Sequence, residues 1–164
     1  MSVLELFDNS PYKRVFRQVS ASYNTQFIEC LLLRKGLKLL PAKCQRELCW
    51  DTEQYKSFII HSIETYNAGD LILYRHEEDY SCRYILDGQH RIHAWEEYMK
   101  GSFSIEYIGK TIYFSDFTER DISILSNRLM CKVQEIGTDG KYDHELTELI
   151  YNRFNFSGVA HKRK

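Results

Sequence analysis

Apolar and polar positions follow two rhythms along this chain. The clearest helical one is DTEQYKSFIIHSIETYNAG, where Tyr55, Phe58, Ile59, Ile63 and Tyr66 fall on one helical face. Asp51 stands where an N-cap is needed, and Gln54, three residues on, completes a capping box. Asn67-Ala68-Gly69 reads as its close. SYNTQFIECLLLRKG also has helical spacing, through Tyr23, Phe27, Ile28, Leu31 and Leu32, and ends on Arg34, Lys35 and Gly36. Ile92, Trp95 and Met99 mark a third helical face ahead of Gly101, and TERDISILSNRLM a fourth, with Thr118 as N-cap and Ile122 and Leu125 inside. HELTELIYNRFNF predicts a last helix with Leu146, Leu149, Ile150 and Phe154 on one face.

The second rhythm is strand-like. LKLLP is a short extended run stopped by Pro41. DLILY and SCRYILD flank the polar RHEEDY and suit a hairpin, and GKTIYFSDF is a further strand with its flanks. AKCQRELCW and TDGKYD read as loops. Strands and helices mix without strict β-α-β alternation, which predicts an α+β domain with a small mixed sheet and flanking helices.

Composition adds bounds rather than detail. A chain of 164 residues, 43% hydrophobic and 27% charged, has enough apolar residues for one buried core, and 2 Pro with 8 Gly leave little for linkers. No stretch approaches the roughly 18 apolar residues of a membrane span, and the opening residues lack a signal-peptide pattern. The five cysteines are Cys30, Cys44, Cys49, Cys82 and Cys131, an odd and scattered set that fits free thiols in the reducing cytoplasm. Cys44 and Cys49 followed by His61 form only half of a zinc pattern. The net charge of -1 gives no argument for nucleic acid. Its distribution is uneven, with eight Lys/Arg against four Asp/Glu in residues 1–50, and four Lys/Arg without an acid in residues 151–164.

The chemistry concentrates where SCRYILD meets the third helix, at Asp87-Gly88-Gln89-His90-Arg91. A strand entering a glycine turn and then a helix leaves backbone N–H groups unpaired at the positive end of the helix dipole, a setting for phosphate. Gly88 admits close approach to the backbone, Arg91 can fork onto phosphate oxygens, and His90 can move a proton near neutral pH. Asp87 can act as a base or hold Mg²⁺. An ordinary tight turn with a surface Arg–carboxylate pair explains the same five residues, and spacing alone leaves the two readings level. Upstream, CQRELCW supplies Gln45, Arg46 and Trp50. Arg46 can reach the same phosphate, whereas Trp50 fits core packing better. Downstream, YNRFNFSG offers Asn155 and Gly158, an ordinary helix close on residue type.

Three stretches in this order carry a resemblance. LPAKCQRELCWD resembles the P-x-x-Q-R-x-x-x-W opening of the ParB-like domain in GmrSD-type modification-dependent restriction enzymes. YILDGQHRIHAW resembles the I-D-G-Q-Q-R-L-x-A-L signature of that group, and LIYNRFNFSG its later Asn-and-Gly motif. The match runs in patches from Leu40 to Gly158. It implies a compact ParB/sulfiredoxin-like fold over residues 37–164, preceded by a helical extension over 1–36. It also implies a nucleoside triphosphate with Mg²⁺ as cofactors. Gln45, Arg46, Gly88, Gln89, Arg91 and Asn155 would then bind nucleotide, and Asp87, His90 and Arg91 would be catalytic, with Asp87 as the Mg²⁺ residue. His90 departs from the Gln commonest in the restriction-type members. The loop lacks the Cys that sulfiredoxin chemistry needs, and no His-Asn-His module or partition-type DNA-binding region is present.

The resemblance therefore implies a stand-alone NTP-binding and hydrolysing domain. On that reading it is an NTP- and Mg-dependent nuclease or nickase with DNA as partner, alongside an effector protein or a second copy. Two alternatives remain. One is a non-catalytic nucleotide- or DNA-binding regulator, such as a phage or viral accessory or anti-restriction protein. The other is a phosphotransferase acting on a small hydroxyl or modified base.

Overall fold

The computed structural model describes residues 22–28, 38–41, 47–76 and 82–138, and positions 145, 148, 149, 151 and 152. The described elements make an α+β fold around a five-stranded mixed sheet. Its strands are β1 (Ser22–Gln26), β2 (Lys38–Pro41), β3 (Asn67–His76), β4 (Cys82–Asp87) and β7 (Met130–Thr138), in the order β1-β7-β3-β4-β2. β1 runs antiparallel to β7, β7 parallel to β3, β3 antiparallel to β4, and β4 parallel to β2. A separate two-stranded ribbon joins β5 (Ile105–Tyr107) to β6 (Lys110–Ile112). The helices are α1 (Thr52–Thr65), α2 (Gln89–Met99) and α3 (Glu119–Arg128), with a 3-10 turn at Phe114–Asp116.

The central position of β3 explains its composition. Leu71, Ile72, Leu73 and Tyr74 are all buried, so both faces of the strand are covered. A strand buried on both sides needs a continuous apolar run rather than alternation. On one face, Leu71, Leu73, Ile85, Cys131 and Val133 join Ile92, Trp95 and Tyr98 of α2 and Ile59 of α1 in the main core. Trp95, Tyr98 and Phe27 are fully enclosed there, and each such side chain contributes about 1.5–3 kcal/mol of burial free energy. Tyr74, Leu86 and Ile136 lie buried outside that cluster.

Local signals set several boundaries as the sequence predicts. The Asp51 carboxylate accepts from Gln54 N–H at 2.8 Å, while the Gln54 side chain accepts from Asp51 N–H at 2.9 Å. Thr118 and Asp121 form the same reciprocal box ahead of α3. LKLLP and the β3–β4 pair fall where expected, and positions 145, 148, 149, 151 and 152 are helical.

Four expectations change. Ser22–Gln26, read as the start of a helix, is strand β1, because pairing with β7 outweighs five residues of ambiguous spacing. The rest of that helix, from residue 29 on, lies outside the described residues. α1 closes one residue before Asn67, on Tyr66 at φ 52. Asn67-Ala68-Gly69 instead opens β3 as an irregularity against β7, where the Asn67 side chain accepts from Gly69 N–H at 2.8 Å. GKTIYFSDF keeps only three strand residues, Lys110–Ile112, before the 3-10 turn. β7, a central strand, had no counterpart among the predicted elements.

Candidate phosphate site at the β4–α2 junction

β4 delivers Asp87 to the end of the sheet, and α2 starts two residues later. Gly88 between them has φ 102, which an L side chain rarely adopts, and it caps the helix without any side-chain hydrogen bond. A Cβ there would also run into Leu71 Cδ2. Conformation and packing therefore both require glycine at this turn, before any ligand is considered. The first helical bond, Ile92 N–H to Gly88 O, measures 3.0 Å. The N–H groups of the first turn point out at the positive end of the dipole.

Arg91 folds back over that turn. Its Nη2 donates to Asp87 Oδ2 at 3.0 Å, with the Arg91 side chain 24% and the Asp87 side chain 41% exposed. At such exposure the pair is worth at most about 1 kcal/mol. The stem is confined from below, since a Cβ on Gly69 would lie 3.2 Å from Arg91 Cδ. Gly69, at φ 79, thus holds the floor under Arg91. Arg91 Nε is buried and has no hydrogen-bond partner among the described residues. Gln89 Oε1, in the same turn, is buried in the same condition. Each unpartnered polar atom costs about 1–3 kcal/mol unless water or a ligand meets it.

His90 points elsewhere. Its Nε2 accepts from Cys49 N–H at 2.9 Å and lies 3.4 Å from Cys49 Sγ. Accepting at Nε2 requires the lone pair to be there, which fixes the neutral tautomer with its proton on Nδ1. The ring stacks on Trp50 with centroids 5.1 Å apart and planes at 27°. Trp50 in turn meets Tyr55 and Phe58 of α1 at 5.9 and 5.7 Å, so it packs, as its residue type suggested. Residues 47–50 are thereby fastened across the start of α2. Tyr55 ionises less readily than an ordinary tyrosine, first because of burial and then because of the nearby Cys49 and Glu97.

The junction thus brings together Asp87, Gly88, Gln89 and Arg91, whereas the His90 ring turns to Cys49 and Trp50. Gln45, Arg46 and Asn155 lie outside the described residues. Two contributors were not tied to this site from the sequence: Gly69, read there as part of a helix close, and Cys49, weighed there only as half of a zinc pattern. Glycine inside a strand pattern was the available signal for Gly69, whereas nothing in the sequence ties Cys49 to His90, which lies 41 residues away.

Among the described residues, no group of three or more His, Cys, Asp or Glu side chains is arranged to hold a metal ion. Mg²⁺ in nucleotide sites usually takes one or two carboxylates and completes its shell with phosphate oxygens and water. Asp87 is a half-exposed carboxylate of that kind, beside a donor set suited to phosphate. No helix among the described residues is long and apolar enough to cross a membrane. No family model, curated protein or solved structure matches the chain.

Proposed function

We propose that the β4–α2 junction binds the phosphates of a nucleoside triphosphate. On this reading the chain is a stand-alone ParB-like NTP-binding and hydrolysing domain, an NTP- and Mg-dependent nuclease or nickase acting on DNA. One observation carries the reading. Within one uncapped helical turn, Arg91 Nε and Gln89 Oε1 are both buried without hydrogen-bond partners among the described residues. A phosphate oxygen meets the first, and a nucleotide hydroxyl, amino group or bridging water meets the second. The first-turn N–H groups add the dipole's positive end. The motif resemblance supplies the nucleotide and the DNA.

In this mechanism Arg91 leaves Asp87 Oδ2 and forks onto phosphate, where its charge offsets that developing as the P–O bond breaks. Asp87, released, faces the same phosphates. There it orients an attacking water or holds Mg²⁺, which supplies charge neutralisation when bound. Purified protein with ATP, GTP or CTP, Mg²⁺ and plasmid DNA should release inorganic phosphate and nick the plasmid. Neither product with any nucleotide would refute the catalytic reading.

A second reading has its own support. His90 Nε2 is occupied by Cys49 N–H, and the Asp87 carboxylate is paired with Arg91. Both candidate catalytic groups thus have structural work, as expected of a nucleotide-binding regulator without chemistry. Saturable nucleotide binding with no phosphate release would select it.

A further inference from the structure

Away from the β4–α2 junction, one face of α1 is left half covered beside the β5–β6 ribbon. A hollow of about 250 Å³ lies there, walled by Ile60 and Ile63 of α1, by Ile105, Tyr107 and Ile112 of the ribbon, and by Phe117. Glu64 is its one charged lining residue. Ile60, Ile63, Ile112 and Phe117 pack on the main core from outside and stay partly exposed. The hollow has room for a large apolar side chain but falls below the usual small-molecule pocket of about 300–1,000 Å³.

The apolar surface also runs beyond the hollow. Tyr107 is 38% exposed, and Ile108, one residue on at the tip of the ribbon, is 85% exposed. Ile108 has φ 49, followed by Gly109 at φ 70. A hairpin turn of two left-handed residues ordinarily takes Asn-Gly or Asp-Gly, and a β-branched side chain is strained there. Folding thus favours neither the residue type nor its exposure at this tip, whereas an apolar contact to a partner accounts for both.

Charge marks the kind of partner. A second hollow, of about 340 Å³, shares Ile60 and Glu64 with the first and adds Glu53, Lys56 and Glu106. Lys56 is taken by Glu53 at 2.9 Å. Glu106 accepts from the Thr111 hydroxyl at 2.6 Å, and Glu64 meets the Tyr107 hydroxyl, which holds the tyrosine proton on. Hydroxyl donors satisfy carboxylate oxygens without cancelling their charge. An anionic rim therefore borders the apolar hollow. Such a rim repels DNA phosphate and anionic lipid, and attracts Lys or Arg.

We propose that the groove between α1 and the β5–β6 ribbon docks a cationic segment of a partner protein. The segment seats a large apolar side chain in the hollow and sets Lys or Arg against Glu64 and Glu106. Tyr107 and Ile108 extend the contact along the ribbon. No phosphate group takes part, so the groove stands or falls separately from the nucleotide reading.

The probe is a synthetic peptide in which Leu and Phe alternate with pairs of lysines. Its controls carry glutamate for every lysine, or alanine for every Leu and Phe. Each is titrated into the isotope-labelled full chain and followed by amide NMR shifts. The lysine peptide should saturate shifts over residues 60–64 and 105–113, with a Kd that rises as salt is added. Neither control should do so. Ile108→Asn should raise Tm, because Asn suits the left-handed turn. It should also weaken the lysine peptide about tenfold, the scale of an interface anchor. Glu64→Gln with Glu106→Gln should remove most of the salt dependence. No saturable shifts there, equal binding of the glutamate peptide, or full affinity retained in Ile108→Asn would overturn the proposal. Shifts at these residues that grow with protein concentration alone would overturn it too, since a second copy would then cover the face.

Discussion

Arg91 Nη2 lies 3.0 Å from Asp87 Oδ2, so the guanidinium in the first turn of α2 is held by the carboxylate at the end of β4. The pair is half open to solvent and therefore weak enough to exchange for phosphate. Asp87→Asn keeps the shape and removes the charge. It should leave nucleotide binding intact or tighter, because Arg91 is no longer restrained by a carboxylate. Phosphate release should fall by about 100-fold or more if Asp87 takes part in the chemistry. Measuring Kd and phosphate release on the same preparation separates the two effects, and unchanged release would remove Asp87 from the catalytic role.

Two glycines shape the junction by different amounts. At Gly88 a methyl group meets Leu71 Cδ2 while the backbone stays at φ 102. At Gly69 it meets only the flexible Arg91 stem, 3.2 Å away. Gly88→Ala should therefore cost about 3 kcal/mol. Gly69→Ala should cost about 1–2 kcal/mol and displace Arg91. Urea denaturation gives both values, and a larger loss at Gly69 would contradict this account of the turn.

The reciprocal cap at Asp51 anchors the start of α1, directly after the Cys49–Trp50 segment. Asp51→Ala should lower stability by about 1 kcal/mol. It should also loosen the ring contacts of Trp50 with Tyr55 and Phe58, which a shift in tryptophan emission would report. Unchanged stability and emission together would mean that the cap does not fix this segment.

At the other capping box, two hydrogen bonds from Thr118, the hydroxyl first and the backbone N–H second, hold the Asp121 carboxyl below the usual carboxylate range. A folded-state pKa lowered in this way contributes stability above the usual carboxylate range, and that stability is lost as pH falls through the lowered value. Thr118→Val removes the hydroxyl and keeps the backbone donor, so Asp121 should titrate closer to an ordinary aspartate without reaching it. Carboxyl-carbon NMR titration measures the shift, and an unmoved Asp121 would show that the hydroxyl bond does not hold it.

What the sequence made legible follows from how local each signal is. The caps at Asp51 and Thr118 and the strand–glycine–helix step from Asp87 to Gln89 are short-range patterns, and all three are found where they were read. β1 was misread because Tyr23, Phe27 and Ile28 satisfy a helical spacing, while its pairing partner lies more than a hundred residues away in β7. β7 escaped because Glu135 interrupts its apolar alternation. That carboxylate is met by Arg75 Nε of β3 at 3.1 Å and by Arg83 Nε of β4 at 2.9 Å. The same holds at the site. Asp87 through Arg91 are contiguous and visible, whereas the floor from Gly69 and the brace from Cys49 and Trp50 come from other elements. The readings of Gln45, Arg46 and Asn155 concern residues outside those described.

The most direct measurement of the central claim is thermal unfolding with ATP, GTP and CTP in the presence of Mg²⁺, for the natural sequence and for Arg91→Ala. A ligand that binds only the folded state stabilises it by about 2.7 kcal/mol at a hundredfold excess over Kd, enough to raise Tm by several degrees. The phosphate-site account predicts that at least one nucleotide raises Tm and that Arg91→Ala, itself folded, loses the rise. No shift with any nucleotide, or an equal shift in Arg91→Ala, would contradict it.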